Sequence, residues 1–109
     1  MDAEQLIIQF HELAYKRNDL KRVNSQLFCE RTRKSKGSRS CIGELIERIR
    51  SEEDRMSETE FAERLSKHGC PICEQIWGNR CRIKQYSKQI GATKNKMHAL
   101  AKRIDKKLA

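Results

Sequence analysis

The sequence is poor in the residues that interrupt helices, with a single proline and five glycines among its 109 residues. Proline removes a backbone donor and glycine raises the entropic cost of ordering the chain, so their scarcity favours long helices. Strands would show alternating apolar and polar residues, and no segment does so convincingly. We therefore predict an all-α fold.

Long hydrophobic runs are also lacking. No segment approaches the roughly 20 apolar residues that a membrane-spanning helix needs. The opening segment MDAEQLIIQF starts acidic and has too short an apolar run for a signal peptide. These absences predict no membrane association and a cytoplasmic location. Because that compartment is reducing, the five cysteines are not expected to form a disulfide framework.

Familiar catalytic patterns are missing as well. The sequence has no serine–histidine nucleophile pattern, no glycine-rich phosphate loop and no H-E-x-x-H helix. We therefore predict that the protein is not an enzyme.

The apolar share of 37% is small beside a charged share of 36%. A chain of this length fits one domain with a modest core, which long amphipathic helices and a metal staple would complete. We predict a single helical zinc-binding domain over residues 1–109. Its parts are a long helix (1–33), a basic loop (34–40), two short helices (41–68), a Cys knuckle (69–82) and a basic helix (83–109).

Apolar residues recur every seven positions in the first and last segments, as in helices that pack along a seam. Arg17 and Asn24 fall on seam positions that a simple dimeric zipper would fill with apolar residues. We therefore favour packing within the chain, as a helical bundle or antiparallel coiled coil of two long and two short helices. A homodimer through the same helices is the alternative. The repeats are Leu6, Leu13, Leu20 and Leu27, and Ile76, Ile83, Ile90, Met97 and Ile104.

The most distinctive stretch is HGCPICEQIWGNRC, which contains three cysteines. Cys70 and Cys73 form a C-x2-C pair, whose spacing lets two thiolates in a tight turn reach one ion, and zinc prefers four such ligands in a tetrahedron. Cys81 follows at the end of the knuckle, where the helical pattern of roughly residues 75–107 has already begun, and there it could point back at the turn. We predict a Zn²⁺ site formed by Cys41, Cys70, Cys73 and Cys81.

The fourth ligand is the least determined of the set. Cys41 is preferred because a residue at a helix start beside a loop can adapt its direction to a metal. Cys29 is the next choice and His68 the third. A site of Cys29, Cys41, Cys70 and Cys73 that leaves Cys81 free also remains open.

A structural role is favoured over a catalytic or redox one. Catalytic zinc keeps an open position and has an acid–base partner nearby, whereas sites with four thiolates are filled. A thiol–disulfide pair in C-P-I-C would normally lie where a strand meets a helix, and no strand is expected here. The cysteine spacing also differs from known iron–sulfur patterns.

The net charge of +9 is concentrated in the basic loop and the last helix, which suggests a polyanionic partner. Trp77 could stack on a base or pack in the core, and core packing is the simpler interpretation. The lysines of the last helix could equally face the acidic short helices. Candidate nucleic-acid contacts near the knuckle are Arg31, Arg33, Lys34, Lys36, Arg39, Trp77, Arg80, Arg82 and Lys84.

Two functions fit these features. The first is a small, zinc-stabilised regulatory protein that binds nucleic acid through the basic loop and the knuckle end. The alternative is a protein-binding adaptor or inhibitor that engages a host transcription or DNA-repair enzyme. Phage and mobile-element accessory proteins often have this build, although no motif here indicates a family.

Overall fold

The computed structural model describes residues 2–35, 37–51 and 56–108. These residues form five α-helices and no strand, which confirms the all-α prediction. Within the same ranges, no helix is both long and apolar enough to cross a membrane. The helices are α1 (Ala3–Ser25), α2 (Glu30–Lys34), α3 (Cys41–Ser51), α4 (Glu58–His68) and α5 (Pro71–Leu108).

The first helix is shorter than predicted, because α1 ends at Ser25 and does not continue to Arg33. The two backbone N–H groups after Ser25 donate to carbonyls three residues earlier, at 3.1 and 3.2 Å, and this tighter turn ends the helix. Leu27 then packs against the core and Cys29 is buried. The heptad pattern therefore overestimated the length of the first helix, because Leu27 fits the seven-residue repeat but lies beyond the end of α1.

The fourth helix begins and ends through local interactions. Ser57 is its N-cap residue, and the Ser57 Oγ accepts a hydrogen bond of 3.2 Å from the backbone N–H of Glu60. Ser57 followed three residues later by Glu60 is the sequence pattern of a capping box, and this contact is the one that the pattern predicts. At the other end, the Gly69 N–H donates to the Leu65 carbonyl at 2.7 Å. A Cβ at position 69 would lie 2.7 Å from that same carbonyl oxygen, so the close approach requires glycine.

The last helix starts earlier than predicted. α5 begins at Pro71, a residue suited to the first helical position because its missing N–H has no partner there anyway. Most of the predicted knuckle, residues 69–82, is therefore helical. The Cys70 carbonyl accepts the N–H of Glu74 at 3.1 Å, which closes the first turn of α5.

The chain divides into two compact units. The cysteine unit comprises Val23–Cys81, and the heptad unit comprises Met1–Arg22 with Arg82–Ala109. The expectation of a single domain stays a prediction. In the heptad unit, Leu6, Ile90 and Thr93 are buried. The core of the cysteine unit consists of Cys29, Cys41, Ile42, Leu45, Phe61, Leu65, Cys73 and Ile76.

Candidate metal centre

Four cysteine side chains meet in the core of the cysteine unit. The Sγ atoms of Cys29, Cys41, Cys70 and Cys73 all lie within 4.8 Å of one another, so this group could hold a metal ion. The Cys29 Sγ is 3.6 Å from the Cys41 Sγ and 3.8 Å from the Cys70 Sγ. These distances far exceed a disulfide bond of about 2.05 Å, and all five cysteines of the chain are free thiols.

The sulfur–sulfur distances match those of a tetrahedral site. Four thiolates at about 2.3 Å from a central zinc ion lie about 3.8 Å apart along each edge of the tetrahedron. The two separations from Cys29, 3.6 and 3.8 Å, are close to this edge length. The group therefore needs little rearrangement to surround one ion.

Each thiol of the group lies at or next to the start of a helix. Cys29 directly precedes α2, and Cys41 is the first residue of α3. Cys70 directly precedes α5, and Cys73 lies in its first turn. Helix N-termini present unpaired N–H groups and the positive end of the helix dipole, both of which favour a thiolate over a thiol.

Hydrogen bonds and burial affect the thiols differently. Burial opposes ionisation of Cys29, but N–H groups led by that of Cys41 outweigh it and lower the pKa of Cys29 from 9.0 to about 6. Burial raises the pKa values of Cys41 and Cys73 above 9.0. The backbone N–H of Cys73 donates to the Cys70 Sγ at 3.4 Å. Cys29 thus ionises more readily than Cys41 and Cys73, and metal binding would displace protons from those two thiols.

The group is shielded from solvent. Cys73 is 0% exposed, Cys29 3% and Cys41 7%, while Cys70 is half-buried. Leu65, which is 1% exposed, belongs to the same core. Four sulfur ligands would fill a tetrahedral coordination sphere and leave no position for water or substrate, as in structural metal sites.

Three of the four predicted ligands lie in this group, but Cys81 does not. The structure places Cys29 there instead, which was one of the open alternatives. Because α5 is helical from Pro71 onward, Cys81 lies eight residues beyond Cys73 along the helix, a rise of about 12 Å at about 1.5 Å per residue. His68, the third choice, is exposed at the end of α4 and is not part of the group.

The predicted nucleic-acid contacts are distributed over both units. Arg31, Arg33 and Lys34 lie in α2, and Arg39 precedes α3. Lys36 lies outside the described residues. Arg82 and Lys84 belong to the heptad unit. The remaining two candidates, Trp77 and Arg80, lie on α5 within the cysteine unit.

Some of these side chains already have partners. Arg31 pairs with Glu44, which raises the pKa of the Arg31 guanidinium, and Arg39 pairs with Glu47. The Trp77 ring packs against Phe61, with the ring centroids 4.2 Å apart and the planes tilted by 36°. Trp77 is half-buried at the edge of the core, so its larger part contributes to packing.

In comparisons with known proteins, no family model, no curated protein and no solved structure matches this chain. The interpretation of the site therefore depends on its own geometry and chemistry.

Proposed function

We propose that the four-cysteine group binds zinc as a structural metal. Zinc favours four thiolates in a tetrahedron, and it needs no open coordination position in such a role. An iron–sulfur cluster has to accommodate several irons and sulfides among its thiolates. The mutual limit of 4.8 Å between these sulfurs suits a single ion better. Five free thiols also suit a reducing compartment, so the cytoplasm is the proposed location.

We further propose that the protein is a non-enzymatic regulator that binds nucleic acid through the segment between Cys29 and Cys41. The observation that carries this proposal is that both flanks of the segment are candidate ligands, with Sγ atoms 3.6 Å apart. One ion would close the segment into a loop and reduce its conformational freedom before binding. The basic residues within it are Arg31, Arg33, Lys34, Lys36 and Arg39.

The charges of this segment support a phosphate-binding role. Arg33 and Lys34 are exposed on α2. The Arg31 and Arg39 ion pairs with glutamates are on the surface, where water and salt screen such pairs and their contribution to stability is small. Phosphate groups can therefore compete with the two carboxylates for these guanidiniums. Binding of this kind releases counterions and weakens steeply as salt increases.

Oligonucleotide binding at increasing salt tests this proposal. Fluorescence anisotropy would be measured with duplex and single-stranded oligonucleotides, for the native chain and for a variant with Arg33, Lys34 and Arg39 all replaced by Gln. The variant should bind at least tenfold more weakly, because three phosphate contacts are lost. In a matched control variant, Lys102, Arg103 and Lys106 are all replaced by Gln. This variant should lose less affinity for the oligonucleotides. Absence of binding by the native chain at low salt contradicts the proposal.

A second candidate function, protein binding, is favoured by the apolar surface of the heptad unit. Ile7, Ile8 and Ile104 are 45%, 51% and 47% exposed. An apolar cleft of about 170 Å³ lies in the same unit, and exposed apolar patches often mark binding sites. A partner that remains bound after nuclease treatment would support this adaptor function. The cleft is lined by Ala3, Ile7, Met97, Leu100, Ala101 and Ile104.

For the heptad unit itself, we propose an antiparallel coiled coil of α1 and α5. The Lys94 Nζ lies 5.6 Å from the centre of the Phe10 ring. Nearer the start of α1, Leu6 shares a cleft with Leu100 and Arg103. Residues earlier in α1 thus lie near residues later in α5. This order is the one expected of antiparallel helices.

A further inference from the structure

A second site lies beside the four-cysteine group in the same unit. It is a surface cleft of about 270 Å³ between α2, α3 and α4. Cys41 and Gly69, the neighbour of Cys70, both line it, so two segments that carry candidate ligands form part of its wall. The remaining lining residues are Arg31, Glu44, Leu45, Arg48, Arg64, Leu65 and His68.

The lining of this cleft is cationic. It contains three arginines, and Glu44 is the single carboxylate among the described residues that line it. Glu44 contacts two of the guanidiniums, pairing with Arg31 and lying 3.5 Å from the Arg48 Nη2. The third, Arg64, comes from a different helix, α4. Three guanidiniums and one carboxylate thus line the cleft, and such a composition suits an anionic ligand.

Guanidinium groups point to one class of anion. Their planar fork donates two parallel hydrogen bonds to phosphate oxygens, and clusters of arginines on several elements commonly recognise phosphate. Glu44 contacts both Arg31 and Arg48 and so brings these two guanidiniums together at the cleft.

The size of the cleft limits what the anion can be attached to. At about 270 Å³, it is slightly smaller than typical ligand sites, which span about 300–1,000 Å³. A compact end group fits such a cleft better than a continuous backbone, which needs an extended groove. The terminal phosphate of a strand, or of a free nucleotide, meets this requirement.

We propose that this cleft is a phosphate-monoester site, which takes the terminal phosphate of a nucleic-acid strand or the phosphate of a free nucleotide. The inference deepens the proposed nucleic-acid function and depends on it for the strand as ligand. Arg31, Arg48 and Arg64 are the phosphate-binding side chains. The bound metal would hold Cys41 and Cys70, and with them two walls of the cleft, in place.

The test compares two oligonucleotides of the same sequence, one with a 5′-phosphate and one with a 5′-hydroxyl. Both would be titrated into the full chain under reducing conditions at constant ionic strength. The phosphorylated strand should bind about tenfold more tightly, as expected for one group bound by charge-assisted hydrogen bonds. Arg48→Gln and Arg64→Gln should each remove most of this difference. Arg50 lies on the same helix as Arg48 but does not line the cleft, so Arg50→Gln is the matched control.

The outcomes separate the cleft from the basic segment. Equal affinity of the two strands for the native chain overturns the cleft proposal and leaves the proposed function standing. If neither strand binds, the proposed function fails, and titration with adenosine monophosphate and inorganic phosphate tests the cleft alone. Changes in the amide chemical shifts of Arg48, Arg64 and Gly69 during this titration would then support the cleft proposal. Unchanged shifts would overturn it. Mononucleotide binding as tight as that of the strand would identify the free nucleotide as ligand.

Discussion

The cysteine unit and the heptad unit differ in how they are stabilised. The cysteine unit buries eight residues in one cluster, three of them cysteines. In the heptad unit, the buried residues among those described are Leu6, Ile90 and Thr93, while three isoleucines stay largely exposed. The buried residues of the cysteine unit are thus clustered around the cysteines, whereas those of the heptad unit are spread along its helices.

This difference shows two solutions to the problem of a small core. The cysteine unit is built from short helices that are marginal by themselves, because isolated helices of fewer than about 12–15 residues are rarely stable in water. A metal ion can supply the missing free energy by joining their ends. The heptad unit has long helical segments, which would gain stability from pairing along their length in the proposed coiled coil.

Loss of a metal ligand should have the largest effect, and it should be confined to the cysteine unit. Cys29→Ser removes one of four thiolates from a buried site, so we expect metal binding to be lost and the free energy of unfolding to fall by more than about 3 kcal/mol. Metal analysis and thermal unfolding measure the two effects. Cys81→Ser is the matched control, and it should retain both the metal and the free energy of unfolding of the native chain. Equal metal loss in the two variants would contradict the assignment of Cys29.

A chelator provides the same comparison without a substitution. After chelation, amide hydrogen exchange should accelerate in α3 and α4 far more than in residues 90–100 of α5, because only α3 and α4 would lose packing that the proposed metal holds together. Uniform acceleration throughout the chain would show that the two units unfold together.

Truncation of leucines should come next in magnitude. Leu65 is 1% exposed beside the four cysteines, and Leu65→Ala should cost about 2–5 kcal/mol through lost burial and a cavity. Leu100 is half-buried in the heptad unit, and Leu100→Ala should cost less. Chemical denaturation of both variants measures the two costs. A larger loss at Leu100 would reverse the proposed difference in packing between the units.

Sequence patterns predicted the helices better than they predicted the site. The scarcity of proline and glycine was sufficient to predict an all-α chain, and the Ser57 cap was visible as a local signal. The end of α1 was not visible, because Leu27 continues the heptad while the backbone turns after Ser25. After this turn Leu27 packs against the core and Cys29 is buried, and such tertiary contacts are not visible in a local pattern.

The ligand set depended on the same kind of information. Cys70 and Cys73 form a C-x2-C pair, whose spacing suits two ligands of one ion. The spacing from Cys73 to Cys81 has no such fixed meaning, because the position of Cys81 relative to the pair changes once the intervening residues are helical. Recognising Cys29 in place of Cys81 required knowing that α5 begins at Pro71. The spacing of Cys29 and Cys41 around a polar, basic segment was the available signal.

Glycine substitutions should give smaller effects of opposite sign. Gly69→Ala would place a Cβ 2.7 Å from the Leu65 carbonyl oxygen and 2.8 Å from the Leu65 Cδ1. Because the backbone must shift to relieve this contact, we expect a loss of about 1–3 kcal/mol, as for other overpacked sites. Because Gly69 also adjoins Cys70, the metal content of the variant should fall. Thermal unfolding and metal analysis of Gly69→Ala would measure both losses.

The smallest expected effect is a gain in stability. An added Cβ at Gly91 meets no atom within 4 Å, and the residue lies in the interior of α5. Alanine is favoured over glycine in a helix interior by about 1 kcal/mol, so Gly91→Ala should stabilise the heptad unit by up to that amount. Gly78→Ala offers the same open surroundings within the cysteine unit. If the two units unfold separately, each substitution should slow hydrogen exchange in its own unit, whereas equal slowing in both would show one cooperative structure.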